Sequence, residues 1–158
     1  MTRNAATPAI DASWGLFIFR VVVGFLFTVH GTVKIFGVPA DAGKVAELGA
    51  WPSWWAGLIE LIAGLLVMSG LFTRAAAFLA SGTMAVAYFW MHQPEGLLPI
   101  QNDGETAALY SFAFLLLVFT GGGAWALDNV RIRRRSSDAR PTGEVKGPAS
   151  AGAGVPGG

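Results

Sequence analysis

The chain has 158 residues, of which 53% are hydrophobic and only 13% charged; it contains no cysteine, and its formal net charge is +1. This balance is too apolar for a soluble domain of this length and predicts an integral membrane protein. Without cysteine, the chain itself cannot carry disulfides, thiolate metal sites or thiol redox chemistry. The first apolar run is too long for a cleaved signal peptide, so we expect it to stay in the mature protein.

Residues 1–13 are small and polar, and we expect them to be poorly ordered. Four apolar segments follow, at about residues 14–36, 54–72, 74–91 and 106–127. Each approaches the roughly 20 residues that a helix needs to cross a bilayer. Because backbone groups in lipid must be hydrogen-bonded within their own segment, these segments are predicted to be helices. The predicted fold class is all-α, an integral membrane four-helix bundle.

The turn between the second and third segments is very short. Gly70 is placed to end one helix and Thr73 to cap the next, so we predict an antiparallel hairpin. After the fourth segment a basic run, RIRRR, leads into a Gly-, Pro-, Ala- and Ser-rich tail that we expect to be disordered. The predicted division is a short N-terminal segment over 1–13, a membrane domain over 14–131, and a basic stretch and tail over 132–158.

The distribution of lysine and arginine predicts how the bundle lies in the membrane. With four spans, both termini and the second turn share one side, which carries eight of these residues, whereas the other side carries Lys34 and Lys44. The positive-inside rule then places both termini in the cytoplasm. The RIRRR run is interpreted as a topology anchor, with binding of anionic lipid as a compatible role, and not as a nucleic-acid site.

Polar residues on the helices of a membrane bundle turn inward, and small residues let the helices approach each other. At about 100° per residue, small and ionisable residues share one face of each of the first two helices: Arg20, Gly24, Gly31 and Lys34, with His30 at the edge, and Gly57, Glu60 and Gly64. By depth, five ionisable residues converge on the outer end of the bundle, and we call them the outer cluster: His30, Lys34, Glu60, His92 and Glu105.

Arg20 lies in the opposite half of the first helix, on the side where Asp128 closes the fourth segment. A charge in the membrane is costly unless it is paired or reaches the interface. We therefore predict a structural role for Arg20, through an ion pair with Asp128 or by extension toward the interface.

Several motifs together resemble the DoxX family of small four-helix bacterial membrane proteins. The first is R-x3-G-x5-HG-x2-K-x-FG from Arg20, and the second is E-x3-G-x5-GL-x-TR from Glu60. NDGE at 102–105 and GGGAWALD at 121–128 resemble the family's later elements. The resemblance covers about residues 14–131 and implies a multi-pass protein of the bacterial cytoplasmic membrane. The family is named after a subunit linked to a thiosulfate:quinone oxidoreductase, and some members are membrane partners of redox and detoxification enzymes.

The first functional hypothesis is a membrane subunit of a redox, respiratory or detoxification complex that binds quinone near the outer cluster. His30, Lys34, Glu60 and Glu105 would supply hydrogen bonds or proton transfer to the quinone oxygens. The chain has no redox group and no self-contained catalytic motif, so electrons would come from a cofactor or a partner oxidoreductase.

Three alternatives stay open at this point. Metal or haem could bind through His30 and His92, with Glu60 and Glu105 completing a metal site. The chain could instead be a non-catalytic scaffold or assembly factor for a partner enzyme. Transport of a small solute is the weakest alternative, because four spans are few and a homo-oligomer would be needed to enclose a path.

Overall fold

The computed structural model describes residues 11–39 and 45–130. Most of the predicted N-terminal segment, the RIRRR run, the tail and Lys44 lie outside the described residues. No β-strand occurs within the two described ranges, which confirms the all-α class. The α-helices are α1, Ala12–Phe36; α2, Ser53–Ser69; α3, Thr73–Ala87; and α4, Glu105–Thr120.

The predicted helices begin within two residues of the observed ones, but the ends differ. The last segment was expected to reach Leu127, whereas α4 ends at Thr120 because Gly121 adopts a φ of 79°. The end of the third helix also differs from the prediction, because α3 does not continue as a regular helix to the end of its apolar segment. It widens into a π-helical turn at Tyr88–His92, followed by a 3-10 turn at Gln93–Glu95.

Helix α1 has the length and composition of a membrane span. Its 25 residues correspond to about 37 Å of helix, more than the roughly 30 Å of a hydrocarbon core. Within the described ranges, it is the helix that satisfies both length and apolarity, while α2 and α4 are apolar but shorter, at 17 and 16 residues.

Large apolar side chains cover the outside of the helices. Ile18, Phe78, Phe112 and Phe119 are each between 59% and 73% exposed, whereas the interior holds small residues such as Ala77. A water-soluble domain rarely exposes apolar surface on this scale. Hydrocarbon facing these side chains accounts for the pattern, in agreement with the apolar character of α1.

Glycines bring α1 and α2 into backbone contact. A Cβ added to Gly24 would lie 2.7 Å from the backbone nitrogen of Met68, and one added to Gly64 would lie 2.7 Å from the backbone nitrogen of Thr28. Gly31 likewise lies directly against the backbone of Leu61. Neighbouring helices in membranes pack through such small residues, since apolar side chains gain little by leaving lipid. The predicted small-residue faces therefore form the α1–α2 interface.

The two ends of the helices differ in construction. The end with the α2–α3 turn, Ser13 and the glycine run 121–123 is called the terminal end; the amide of Ala124 donates to the carbonyl of Ser13 there. The opposite end, with the α1–α2 and α3–α4 connections, is called the loop end. The predicted outer cluster belongs to the loop end.

The short α2–α3 turn confirms one predicted cap and corrects the other. Gly70 ends α2 with a φ of 75°, as expected for a left-handed C-cap. Thr73 does not cap α3; its hydroxyl is buried and accepts or donates no hydrogen bond within the described part of the chain. The carboxylate of Asp128 takes that role, accepting from the amide of Phe72 at 2.8 Å and from that of Thr73 at 2.9 Å.

The glycine contacts predict a large difference between two alanine substitutions. Gly31→Ala forces a methyl group into the Leu61 backbone and should destabilise the protein by about 1–3 kcal/mol, the usual cost of overpacking. Gly82→Ala is the matched control, because no heavy atom lies within 4 Å of the added Cβ. It should be neutral or stabilising by up to about 1 kcal/mol. Thermal unfolding in detergent measures both, and equal stability of the two variants would contradict the close approach of α1 and α2.

Candidate functional site

A buried ion pair joins α1 to α2 near the loop end. Lys34 Nζ lies 2.5 Å from Glu60 Oε1, and it is the one ion pair formed within residues 11–39 and 45–130. The Glu60 side chain is 2% exposed, while Lys34 is 35% exposed and opens toward the loop end. The ammonium group stabilises the buried carboxylate in its charged form, since an unpaired charge would be far more costly there.

The second oxygen of the same carboxylate is unusual. Glu60 Oε2 is buried and has no hydrogen-bond partner in the described part of the chain. Most buried polar atoms in native proteins are hydrogen-bonded, and leaving one unsatisfied costs about 1–3 kcal/mol, more for a charged group. Glu60 Oε2 is therefore a candidate contact for a hydrogen-bond donor.

Glu60 lines a cavity of about 290 Å³ that lies among the helices at the loop end. The polar residues around this cavity, which we call the loop-end cavity, are His30, Lys34, Glu60, His92, Asp103, Thr106 and Tyr110. Phe27, Met84, Ala87 and Ala107 supply its apolar wall. Every α-helix described above therefore contributes to one site, together with the connection that precedes α4.

Aromatic rings form the wall between α1 and α4. The His30 ring meets the Tyr110 ring edge to face with centroids 5.7 Å apart, and Tyr110 stacks on Phe114 at 6.0 Å. Phe27 completes the group, 4.6 Å from Phe114. Helix α1 packs mainly on α2, and α3 packs mainly on α4. These rings are therefore the principal contact between α1 and α4. Toward the loop end, the contact between α1 and α4 leaves His30 exposed.

His92 enters the cavity from the π-helical turn. Its Nδ1 lies 2.9 Å from the carbonyl oxygen of Asn102, which fixes the orientation of the ring. Asn102 is itself 2% exposed and holds the connection together, donating to the carbonyl of Gly96 and accepting from the amide of Gly104. Asn102 of the NDGE motif thus acts structurally, by positioning His92 through its backbone carbonyl.

The structure brings together four of the five residues of the predicted outer cluster, namely His30, Lys34, Glu60 and His92. Glu105 is exposed at the first position of α4 and does not line the loop-end cavity. Asp103 lines it instead, two residues earlier, with a φ of 54°. Sequence reasoning also missed Tyr110 as a site residue, although its position on the inward face of the fourth segment was a usable signal.

Arg20 is buried at the terminal end, at 1% exposure. The sequence predicts an ion pair with Asp128 or extension toward the interface; in the structure Arg20 Nη1 donates to the carbonyls of Val67 and Met68, at 3.0 and 2.8 Å. These are the last carbonyls of α2, which lack partners within the helix. Asp128 acts on Arg20 electrostatically while its oxygens cap α3. Both residues therefore tie helix ends together.

The metal hypothesis gains no support from this geometry. No three of the described His, Asp and Glu residues are grouped so that they could hold a metal ion. The candidates His30, His92 and Glu60 do share the loop-end cavity, but not as a coordination set.

Comparison with known proteins decides the family. The DoxX family model matches residues 15–93, which include most of α1, all of α2 and α3, and His92. A Haemophilus influenzae protein described as "Uncharacterized protein" is 44% identical over 118 residues, 72% of this chain and 88% of that relative. The chain belongs to the DoxX family.

Two further relatives of this DoxX chain carry informative names. "Inner membrane protein YphA" of Escherichia coli is 30% identical over 134 residues, covering 79% of this chain and 92% of the relative. "Putative oxidoreductase CatD" of Bacillus subtilis is 32% identical over 117 residues, covering 72% and 84% respectively. No solved structure matches the chain significantly. Family membership and the apolar span of α1 together identify a helical membrane protein.

The buried ion pair predicts strong coupling between two substitutions. Lys34→Met leaves the Glu60 carboxylate buried without its counterion, and breaking a buried pair in this way costs about 3 kcal/mol or more. The double variant Lys34→Met, Glu60→Leu removes both charges and should recover most of that loss. Thermal unfolding of the two variants in the same detergent tests the coupling, and additive losses would show that the pair is unimportant to stability.

Proposed function

We propose that this DoxX-family chain is a membrane subunit that binds the headgroup of a quinone in the loop-end cavity and serves a partner oxidoreductase. The observation that carries the proposal concerns Glu60, which lines this cavity and whose buried Oε2 has no hydrogen-bond partner among the described residues. A polar headgroup in the cavity would complete its hydrogen bonding.

The size and lining of the cavity fit a headgroup better than a whole lipid-like molecule. Sites for drug-sized ligands begin at about 300 Å³, so a cavity of about 290 Å³ holds one substituted ring and leaves a long tail outside. The apolar tail would lie in the surrounding hydrocarbon. Phe27 and Tyr110 offer aromatic surface to the ring, and His30, Lys34 and His92 offer polar contacts to its oxygens.

The chemistry of the chain assigns it a supporting part in electron transfer. It contains no cysteine, and its described acidic and histidine residues form no metal-binding group. A bound quinone supplies the redox chemistry, and the chain's own residues bind it and carry protons. The oxidoreductase named among the relatives supports this assignment and suggests that electrons reach the site through a partner enzyme. A purely structural scaffold is the outcome if no headgroup binds.

We further propose four membrane spans within a domain over residues 14–131, with both termini in the cytoplasm. The excess of lysine and arginine on the terminal side supports this orientation. The relative YphA, named as an inner membrane protein, supports a location in the bacterial inner membrane. In this arrangement the loop-end cavity opens toward the outer face, and RIRRR anchors the cytoplasmic face.

The absence of native cysteine makes this orientation testable with single cysteines. Gln101→Cys should react with a membrane-impermeant maleimide added to intact cells, because the loop end faces outward. Ser136→Cys should react only after the membrane is permeabilised. The opposite labelling pattern would reverse the orientation, and labelling of both positions in intact cells would contradict the single span, α4, that the proposed topology places between them.

Binding of a headgroup is tested with a short-tailed benzoquinone and its hydroquinone, each titrated into protein held in lipid nanodiscs. At least one redox form should bind with one equivalent per chain. His30→Ala removes a partly exposed wall of the cavity and should weaken binding by about fivefold or more, equivalent to roughly 1 kcal/mol. Glu105→Ala is the matched control, because Glu105 is exposed and outside the cavity. If neither redox form binds above the lipid background, the proposal fails.

A further inference from the structure

We propose that the loop-end cavity prefers the hydroquinone to the quinone, because two of its lining residues, Glu60 and His92, supply acceptors that require hydroxyl donors from the ligand. This inference rests on the proposed function and names the redox state in which the site holds its ligand. Two groups from different parts of the fold support the preference independently. They are Glu60 Oε2 on α2 and the His92 ring on the π-helical turn.

Glu60 supplies the first acceptor. Its Oε1 is held by the ammonium group of Lys34 at 2.5 Å, so the carboxylate is the charged partner of an ion pair. An ionised carboxylate can only accept hydrogen bonds. The buried Oε2 therefore needs a donor. A quinone oxygen is an acceptor and would be repelled by Oε2, whereas a ring hydroxyl would donate to it.

His92 supplies the second acceptor. Its Nδ1 lies 2.9 Å from the carbonyl oxygen of Asn102, and since a carbonyl cannot donate, Nδ1 must carry the proton. In the neutral imidazole, the other ring nitrogen, Nε2, is then an acceptor. The buried Asn102 fixes this tautomer by holding its own carbonyl in place through bonds to Gly96 and Gly104.

The remaining polar groups of the cavity do not oppose this preference. The hydroxyl groups of Tyr110 and Thr106 can both donate and accept, so they suit either redox form. The Lys34 ammonium uses one of its three N–H donors on Glu60 Oε1, and its other donors suit either redox form, because a hydroquinone oxygen can accept as well as donate. The His30 ring can donate or accept according to its tautomer. Asp103 adds another carboxylate to the lining. A hydroquinone brings two hydroxyl donors to this set of acceptors, while a quinone brings none.

The preference is measured under anaerobic conditions by titrating a decyl-substituted benzoquinone and its hydroquinone into separate samples of nanodisc-held protein. A hydrogen bond to a charged acceptor predicts that the hydroquinone binds about tenfold more tightly or better. The dimethyl ether of the same hydroquinone is a third probe. It keeps the ring and tail but has no donor, so it should bind no better than the quinone.

Glu60→Gln identifies the atom responsible. The amide that replaces the carboxylate can donate as well as accept, so the ratio of the two affinities should fall toward one. Glu105→Gln makes the same chemical change outside the cavity and should leave the ratio unchanged. If Glu60→Gln fails to fold, the affinities of the wild-type protein for quinone, hydroquinone and dimethyl ether still test the redox preference.

The possible results separate the two proposals. Equal affinities in the wild-type protein, or tighter binding of the quinone, would overturn the redox preference and leave headgroup binding in place. Tight binding of the dimethyl ether would also overturn it, because the ligand would then need no hydroxyl. Failure of all three probes to bind would overturn the proposed function and this inference together.

Discussion

The close approach of α1 and α2 is the constraint on which the rest of the structure depends. Gly24 and Gly64 leave no room for a side chain between the helix backbones, so the two helices lie close together along their length. At this separation Lys34 can reach across to Glu60 and bury the carboxylate in a charged form. A wider interface would place the carboxylate where only neutralisation or water could relieve its charge. Helix packing and site chemistry are thus parts of one arrangement.

The two ends of the helices use polar groups in opposite ways. At the terminal end, Arg20 donates to carbonyls in the last turn of α2 and Asp128 accepts from amides at the start of α3, so both side chains hold helix ends in place. At the loop end, Lys34 satisfies only one of the two oxygens of Glu60, and a cavity lies beside the other. This contrast is why burial of a charge alone did not single out the candidate site. The loop end stands out because the unsatisfied atom there belongs to a carboxylate, and Glu60 lines a cavity together with His30, Lys34 and His92.

Sequence periodicity was sufficient to predict the inward faces of α1 and α2, including Lys34 and Glu60, because both lie in regular helix. It was not sufficient where the backbone leaves that regularity. Asp103 lines the cavity because it adopts a left-handed backbone conformation in the turn, whereas Glu105 lies outside the cavity. The capping of α3 by Asp128 joins residues more than fifty positions apart, a contact that no local capping pattern contains. The local sequence pattern predicted Thr73 as the cap of α3, but the tertiary fold brings Asp128 to that position instead.

The π-helical turn at Tyr88–His92 makes the chain intolerant of a change in length at this point. Such turns accommodate one residue more than a regular helix would. Loss of a single residue here would return the segment to ordinary helical geometry and rotate everything beyond it by about 100°. His92 would leave the cavity even though its identity was unchanged. Alignments of related chains should therefore place gaps outside this turn, and a relative with a gap inside it should have lost the histidine's role.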